Sequence, residues 1–254
     1  MKKLLVLFLA LVMVFSLVAC GDNGDNSAAQ APGASNPPEA TEVPDVKSEG
    51  VLTYAEYAAI EVVENGEQPE VVIETYVQAK QSWWDNKATI YTQDKDGGYF
   101  IYEMACSEED YARLTIGTKI KVTGYKTVWK GEYEIADATF EIMEGNYVAP
   151  HKDVTNLLGT DDLIKSQNQA VEFKGLEVVK IEYKNGEPGD DIYLTLSYKG
   201  AEYDFCVERY LTDPDTAVYK AVGELKAGDV VDVQGFLYWF NNVNPHVTAI
   251  SKVG

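Results

Sequence analysis

The sequence predicts a mainly β protein built from two copies of one five-stranded unit with short helices, after an N-terminal signal segment and a disordered tether. Segments such as Val71–Gln81 alternate apolar and polar residues with the period of two that is typical of a strand. The stretch Leu114–Tyr125 recurs as Leu225–Phe236, with the shared pattern L-x-x-G-x-x-[IV]-x-V-x-G-[YF]. Because this repeat is domain-sized, it indicates two copies of a module rather than a solenoid.

The first copy is predicted to hold five strands and one helix. The turn residues Asp94–Gly98 end its second strand, and Lys130-Gly131 separates its last two strands. Ser107-Glu-Glu-Asp110 is typical of a capping box that opens a helix reaching about Leu114. The predicted strands are Val71–Gln81, Lys87–Gln93, Tyr99–Met104, Lys119–Val128 and Glu132–Ile142.

The second copy follows the same order, with an acidic turn at Asn185–Asp191 and a helix near Asp213–Val222. Its predicted strands are Val171–Tyr183, Ile192–Tyr198, Ala201–Glu208, Asp229–Trp239 and Pro245–Val253.

Two helical segments are predicted outside these units. Thr53 and Glu56 form a capping box before an Ala-rich turn, so residues 53–64 are expected to be a leading helix. Residues 153–158 and 160–166 are expected to form a helical bridge, with Thr160 or Asp161 as the cap.

This order of elements resembles the OB-fold, a five-stranded, partly open barrel. The repeated glycine element is similar to strand four of exported bacterial OB modules. The likeness implies that Gly117 and Gly228 open the strand, and that Gly124 and Gly235 permit its sharp coil. The expected domains are residues 51–148 for a first module with its leading helix, 149–169 for the bridge, and 170–254 for a second module.

The N-terminus predicts export. Lys2 and Lys3 precede an apolar run that ends in Leu17-Val-Ala-Cys20-Gly, which resembles the bacterial lipobox. In that family the cysteine is acylated with diacylglycerol and becomes the first residue of the mature chain, so the resemblance implies a signal peptide over residues 1–19 and lipidation of Cys20. An ordinary signal peptide cut after Ala19, or an uncleaved anchor, is the alternative.

Residues 20–50 are expected to be the lipidated cysteine and a flexible tether, because they are rich in Gly, Pro, Ala, Asn, Asp and Ser. From about Thr53 onward the chain also resembles uncharacterised lipoproteins of Gram-positive gut bacteria with tandem OB-like modules. The likeness implies a fold and a lipid-anchored place on the extracytoplasmic face of the cell membrane, and it carries no activity.

The chain is strongly acidic, with 41 Asp and Glu against 21 Lys and Arg and a formal net charge of −20. Binding to phosphate backbones depends on their neutralisation by Lys and Arg, so nucleic acid is disfavoured as a partner. The charge is better suited to keeping an exported protein in solution.

Aromatic residues mark the candidate site. OB-folds bind oligonucleotides or oligosaccharides on the face of strands two and three and on the loops beside it. The aromatic residues predicted at this mouth, or at its counterpart in the second copy, are Trp83, Trp84, Trp129, Tyr91, Tyr99, Tyr102 and Trp239. Adjacent side chains of a strand point to opposite faces, so Trp83 and Trp84 cannot share one core. The alternative is that these rings pack barrel ends or module against module.

Other chemistry has weak signals. Asp94–Gly98 is similar to the start of a calcium loop, but Ala105 stands where the twelfth-position Glu is needed. Glu187, Asp190 and Asp191 form a second acidic loop, and solvated turns are the favoured interpretation of both. We therefore expect no metal and no cofactor.

The chain contains no familiar catalytic motif, and its two histidines, His151 and His246, lie in different segments. We expect no enzymatic activity.

Cys106 and Cys206 occupy similar places in the two copies. We favour two part-buried thiols, and a disulfide remains the alternative in an exported protein.

Three functions follow. The first is a cell-surface binding protein for a glycan or another envelope ligand, with exposed, adjacent rings of Trp83 or Trp84 and Trp129. The second is a structural or protein-interaction component of the envelope, with those rings shielded. The third is a nucleic-acid-binding accessory, which would need a basic strip formed by Lys80, Lys87, Lys119, Lys121, Lys126 and Lys130.

Overall fold

The computed structural model describes residues 47–253, and within them each copy of the repeat forms a ring of five strands. In the first copy the strand order is β1-β2-β3-β5-β4, and β4 pairs back onto β1 to close the barrel. The one parallel pairing of this ring joins β3 to β5. The strands are β1 Glu70–Lys80, β2 Lys87–Gln93, β3 Gly98–Ala105, β4 Thr118–Trp129 and β5 Glu132–Asn146.

The second copy repeats this topology. Its strands follow the order β7-β8-β9-β11-β10, β10 pairs back onto β7, and β9 runs parallel to β11. A short strand, β6, adds to the outer edge of β7. The strands are β6 Lys152–Asp153, β7 Ala170–Tyr183, β8 Ile192–Tyr198, β9 Ala201–Val207, β10 Val230–Phe236 and β11 His246–Lys252. The mainly β, tandem OB-like fold is therefore confirmed.

The first two helices begin where their caps predicted, whereas the third begins four residues after the expected Asp213. Helix α1 is Tyr54–Ala59, and Thr53 and Glu56 form the full capping box. Helix α2 is Glu108–Arg113, with Ser107 accepting from the backbone N–H of Asp110. Helix α3 is Ala217–Gly223. Helix α1 is shorter than the expected 53–64 because Ile60 adopts an extended conformation.

The predicted bridge is helical only in part. Each of its two predicted segments contains one 3₁₀ turn, Thr155–Leu157 or Leu163–Ser166, and Lys152–Asp153 forms β6. Gly159, with φ +79°, separates the two turns. Neither expected cap operates. Asp162 precedes the second turn without a side-chain cap, and the Thr160 hydroxyl donates to the Leu157 carbonyl at 2.8 Å.

The repeated glycines act as the pattern predicted. Gly117 and Gly228 have φ of +89° and +88° at the entrances to β4 and β10. A Cβ at Gly124 would lie 2.8 Å from Ile135 Cγ2, and a Cβ at Gly235 would collide with the carbonyl oxygen of His246. The strands can coil this tightly only because these two positions carry no side chain.

Three apolar cores hold the molecule together. One fills each barrel, with Ile73, Ile101 and Ile120 in the first and Phe173, Phe205 and Leu196 in the second. The third joins the two barrels, and its members are Tyr91, Phe100, Ala149, Ala170, Phe236 and Tyr238. The described residues accordingly form one compact unit.

The predicted signal peptide, the lipidated Cys20 and nearly all of the tether lie outside the described residues. Between residues 47 and 253, no helix is long and apolar enough to cross a membrane.

Candidate functional site

The two modules bring one exposed aromatic pair together, Trp129 and Phe240. Trp129 ends β4, and Phe240 is its counterpart in the repeat register. The ring centroids lie 5.3 Å apart, with the planes tilted by 54°. Each residue is 47% exposed. We call these two residues the aromatic pair.

Hydrogen bonds fix the turns that carry the aromatic pair. The backbone N–H of Asn241 donates to the carbonyl of Lys130 at 2.6 Å, which ties one turn to the other. Both residues adopt left-handed φ values of +61° and +53°. The ring of Trp239 packs over Gly131, where an added Cβ would lie 3.1 Å from Trp239 Cδ1. The pair is thus a rigid, two-module surface.

Trp239 itself is a half-buried member of the junction. Its backbone N–H donates to Glu132 Oε2 at 2.8 Å. It lies beyond the end of β10, which stops at Phe236 rather than at the expected Trp239. Beyond Phe236 the backbone of Leu237 exchanges hydrogen bonds with Asn168 and Gln169 of the bridge, and its side chain is buried in the core of the second barrel.

Trp83 and Trp84 lie in the loop between β1 and β2 and differ in exposure. Trp83 is half-buried, and its indole Nε1 donates to the carbonyl of Cys106 at 3.0 Å. Trp84 is 67% exposed. The following residues, Asp85 and Asn86, turn the chain with φ of +49° and +58°. Among the described residues no ring contact joins Trp84 to Trp129, so the predicted adjacency of these tryptophans is not observed.

The predicted floor of tyrosines is mostly buried, which corrects that expectation. Tyr99 is fully buried beneath α1 and donates to Asp94 Oδ2 at 3.1 Å. Tyr91 is fully buried between the barrels and stacks on Phe236 at 4.4 Å. Only Tyr102 is open to solvent, at 43% exposure. The physical reasons differ, because Tyr99 belongs to the core of the first barrel, where α1 packs on it, whereas Tyr91 lies in the core shared by the two barrels.

The buried junction has its own polar network. Tyr91 Oη lies 2.9 Å from His246 Nδ1, and the imidazole stacks on Tyr238 with centroids 4.2 Å apart. Burial lowers the pKa of His246 to about 4. A neutral imidazole is therefore part of the interface at physiological pH, so His246 is an interface residue rather than an exposed edge residue.

Two carboxyl groups of β5 are also buried at this junction. Glu132 accepts from the backbone of Trp239 and from Gln167 Nε2, at 2.8 and 3.1 Å. Burial raises the pKa of Glu132 well above its usual value, and it raises the pKa of Glu134 to about 7. Composition alone could not single out these residues, because the chain contains many carboxylates.

Most of the lysines proposed for a basic strip are buried or already bonded to other residues of the fold. Lys87 pairs with Glu103 at 2.6 Å, and Lys119 pairs with Glu74 at 3.0 Å. Lys80 donates to the Tyr111 carbonyl at 2.6 Å. Lys126 is 2% exposed. Lys121 is half-buried and Lys130 is exposed, so these six residues do not form a continuous exposed strip.

The remaining candidates are accounted for within the fold. Asp94 pairs with Lys47 at 2.8 Å and accepts from the backbone of Asp96 and Gly97, so its carboxylate organises the turn. In the described part of the chain no group of acidic, histidine or cysteine side chains is placed to hold a metal ion.

Cys106 and Cys206 are free and buried. Burial raises the pKa of the Cys106 thiol to about 11, which disfavours the reactive thiolate.

No protein-family model and no curated protein matches the chain. Solved structures that align with it include a murine DNA-binding protein bound with double-stranded DNA, at 11% identity and a TM-score of 0.37, covering 72% of this chain and 96% of that one. Another is the Ifi202 HINa domain in complex with 20-bp double-stranded DNA, at 10% identity and a TM-score of 0.35, covering 73% and 97%. The p204 HINb domain aligns at 8% identity and a TM-score of 0.33, covering 73% and 98%. Scores this low transfer no ligand to the present chain.

Proposed function

We propose that the chain is a lipid-anchored binding protein of the extracytoplasmic membrane face rather than an enzyme, and that the aromatic pair receives a glycan. The exposed contact of Trp129 with Phe240 carries this proposal. Half-exposed aromatic rings leave apolar surface in contact with water. Adjacent exposed apolar rings on a protein surface mark binding sites more often than scattered apolar residues do.

The surroundings of the pair suit a sugar. The apolar face of a pyranose can lie on an aromatic ring, while its hydroxyl groups need hydrogen-bond partners at the edge. Lys130, Asn241 and Asn242 are exposed in the same two turns and supply donors and acceptors. The turns are tied together, so little conformational freedom is lost on binding.

Tryptophan fluorescence tests the proposal. Protein beginning at Val46 is titrated with soluble cell-wall and dietary glycans, and with single- and double-stranded DNA and calcium as further arms. We expect a saturable change with one glycan class. That change should be lost in Trp129→Ala and in Phe240→Ala, and retained in the control Trp84→Ala, which removes the most exposed tryptophan.

Three outcomes would overturn this assignment. Equal loss of binding in Trp84→Ala would move the site away from the aromatic pair. A response to DNA with none to any glycan would favour a nucleic-acid-binding accessory. A chain that responds to neither, while Trp129→Ala abolishes capture of a defined envelope protein, would be a protein-interaction component.

A further inference from the structure

A second site is indicated by a cavity of about 240 Å³ at the end of the first barrel. It lies among α1, the β4–β5 hairpin and the second 3₁₀ turn of the bridge. At about 30 Å³ for each water molecule, it has room for about eight waters or one small ring compound. Its aromatic walls are Tyr54, Tyr57 and Tyr133.

The charge of the cavity is opposite to that of the chain. Two lysines, Lys126 and Lys165, line it, and no carboxylate does. Acidic residues outnumber basic residues 41 to 21 in the sequence, so this lining departs from the composition. An anion entering here would meet no carboxylate on the cavity wall itself, although Lys165 pairs with Asp162 and the buried Glu132 accepts from the lining residue Gln167.

Lys126 is a buried cation without an acidic partner among residues 47–253. Its Nζ donates to the carbonyls of Tyr57 and Ile60, at 2.8 and 2.7 Å. The same nitrogen lies 4.4 Å from the ring centroid of Tyr57 and 4.9 Å from that of Tyr133. An ammonium group has three donors, so one N–H is left for a ligand. Burying a charge without a counter-ion is costly, and a bound anion would offset that cost.

Two further buried polar atoms of the cavity wall have no hydrogen-bond partner in the described chain. They are the hydroxyl of Tyr57, which is 4% exposed, and Oδ1 of Asn168, which is 3% exposed. Buried polar groups are normally paired, so an unpaired set around one cavity needs an explanation. Together with Lys126 they offer two donors and one acceptor.

We propose that this cavity binds a small ring-bearing hydroxy-carboxylate. The Lys126 ammonium and the Tyr57 hydroxyl would each donate to a carboxylate oxygen. Asn168 Oδ1 would accept from a hydroxyl of the ligand, and the ring would lie against the tyrosines. A phosphate is disfavoured, because its three terminal oxygens would find only these two donors inside. A uronic acid and a hydroxylated aromatic acid share the required chemistry.

Calorimetric titration of the protein beginning at Val46 tests the site. The ligands are galacturonate and 4-hydroxybenzoate, which separate the two sources, with galactose and inorganic phosphate as comparisons. We expect one of the two acids to bind, and galactose and phosphate to bind at least tenfold more weakly. Equal binding of galactose, binding of phosphate alone, or no heat with either acid would overturn the proposal.

Variants locate the binding without removing the buried lysine. Tyr57→Phe deletes one hydroxyl that has no partner within the described chain, so the fold should be kept while binding weakens about two- to tenfold. Lys165→Glu reverses the exposed charge beside the cavity, and should weaken binding several-fold at low salt and less at high salt. Lys180→Glu, an exposed lysine of the second module, is the matched control and should bind like the wild type. Wild-type affinity in both cavity variants would contradict the assignment.

The cavity proposal and the proposal of glycan binding at the aromatic pair can be tested independently. Trp129→Ala should abolish glycan binding at the aromatic pair and leave the binding of the acid unchanged. If Trp129→Ala removes the acid as well, the acid binds at the aromatic pair and the cavity proposal is wrong.

Discussion

Glu134 shows how a single buried carboxyl group couples this fold to pH. It is 6% exposed on β5, and burial raises the pKa of its side chain from 4.5 to about 7. The folded chain therefore holds this proton more tightly than the unfolded chain. Between about pH 4.5 and 7 the group lowers the free energy of unfolding as pH rises.

The variant Glu134→Gln should remove this pH dependence. Near pH 4 the protonated wild type and the variant should have similar free energies of unfolding. Above about pH 7 the variant should have gained about 3 kcal/mol relative to the wild type, since each unit of pKa is worth about 1.4 kcal/mol. Urea unfolding at a series of pH values measures the difference. A difference that stays constant with pH would show that Glu134 does not carry the effect.

The exposure of Trp84 follows from local sequence, whereas the aromatic neighbour of Trp129 does not. The alternation rule predicted that Trp83 and Trp84 cannot share one core, and the structure leaves Trp84 exposed. The rule could not find the ring that accompanies Trp129, because Phe240 comes from the other module. The signal was present in the repeat, in which Phe240 occupies the position of Trp129.

Among the elements, the coiled strands β4 and β10 depend most directly on sequence. Each contains a glycine, Gly124 or Gly235, where the partner strand passes too closely for a side chain. Helix α1 is stabilised from two sides. Thr53 caps its N-terminus, and Lys126 donates to carbonyls at its C-terminal end. The first cap was predicted from sequence, and the second comes from a distant strand.

Gly235→Ala should destabilise the protein by about 2–3 kcal/mol, because the methyl group meets the backbone of His246 and overpacks the barrel. Gly200→Ala is the control. That glycine has φ +82° but nothing within 4 Å of an added Cβ, so we expect a loss of about 1 kcal/mol from backbone strain alone. Urea denaturation of both variants makes the comparison. A larger loss at Gly200 would refute the close-approach argument.

For the molecule as a whole, the shared core between the barrels is the organising feature. Phe236 of β10 stacks on Tyr91 of β2, and Tyr238 packs against Phe100 of β3 at 5.4 Å. The face that OB-folds use for ligands is thus covered in the first module by the second. Tyr91 and Phe100 are therefore closed to a ligand, whereas Tyr102 and the aromatic pair remain exposed.

We expect the two modules to unfold together. Circular dichroism reports both barrels, whereas three of the four tryptophans belong to the first module, so coincident urea transitions by both probes would indicate one cooperative unit. Phe236→Ala should lower the free energy of unfolding by about 3–4 kcal/mol. The control Phe240→Ala, which is half exposed, should lose less than about 1 kcal/mol. Two separate transitions in the wild type would contradict this expectation.

The strands, the repeat, the helix starts and the coil glycines could be read from the chain because each depends on neighbouring residues and on a fixed period. The bridge contains less helix than its local pattern indicated because its backbone bonds to β7 and to the residues after β10, which no local pattern reveals. The candidate site was found only in part for the same reason. Periodicity predicts that Tyr91 and Tyr102 both point out of the first barrel. Tyr102 is exposed to solvent, whereas Tyr91 is buried against the second barrel. Whether a side chain is buried, hydrogen-bonded or paired with an opposite charge depends on residues far apart in sequence. These properties are therefore decided by how the two barrels pack.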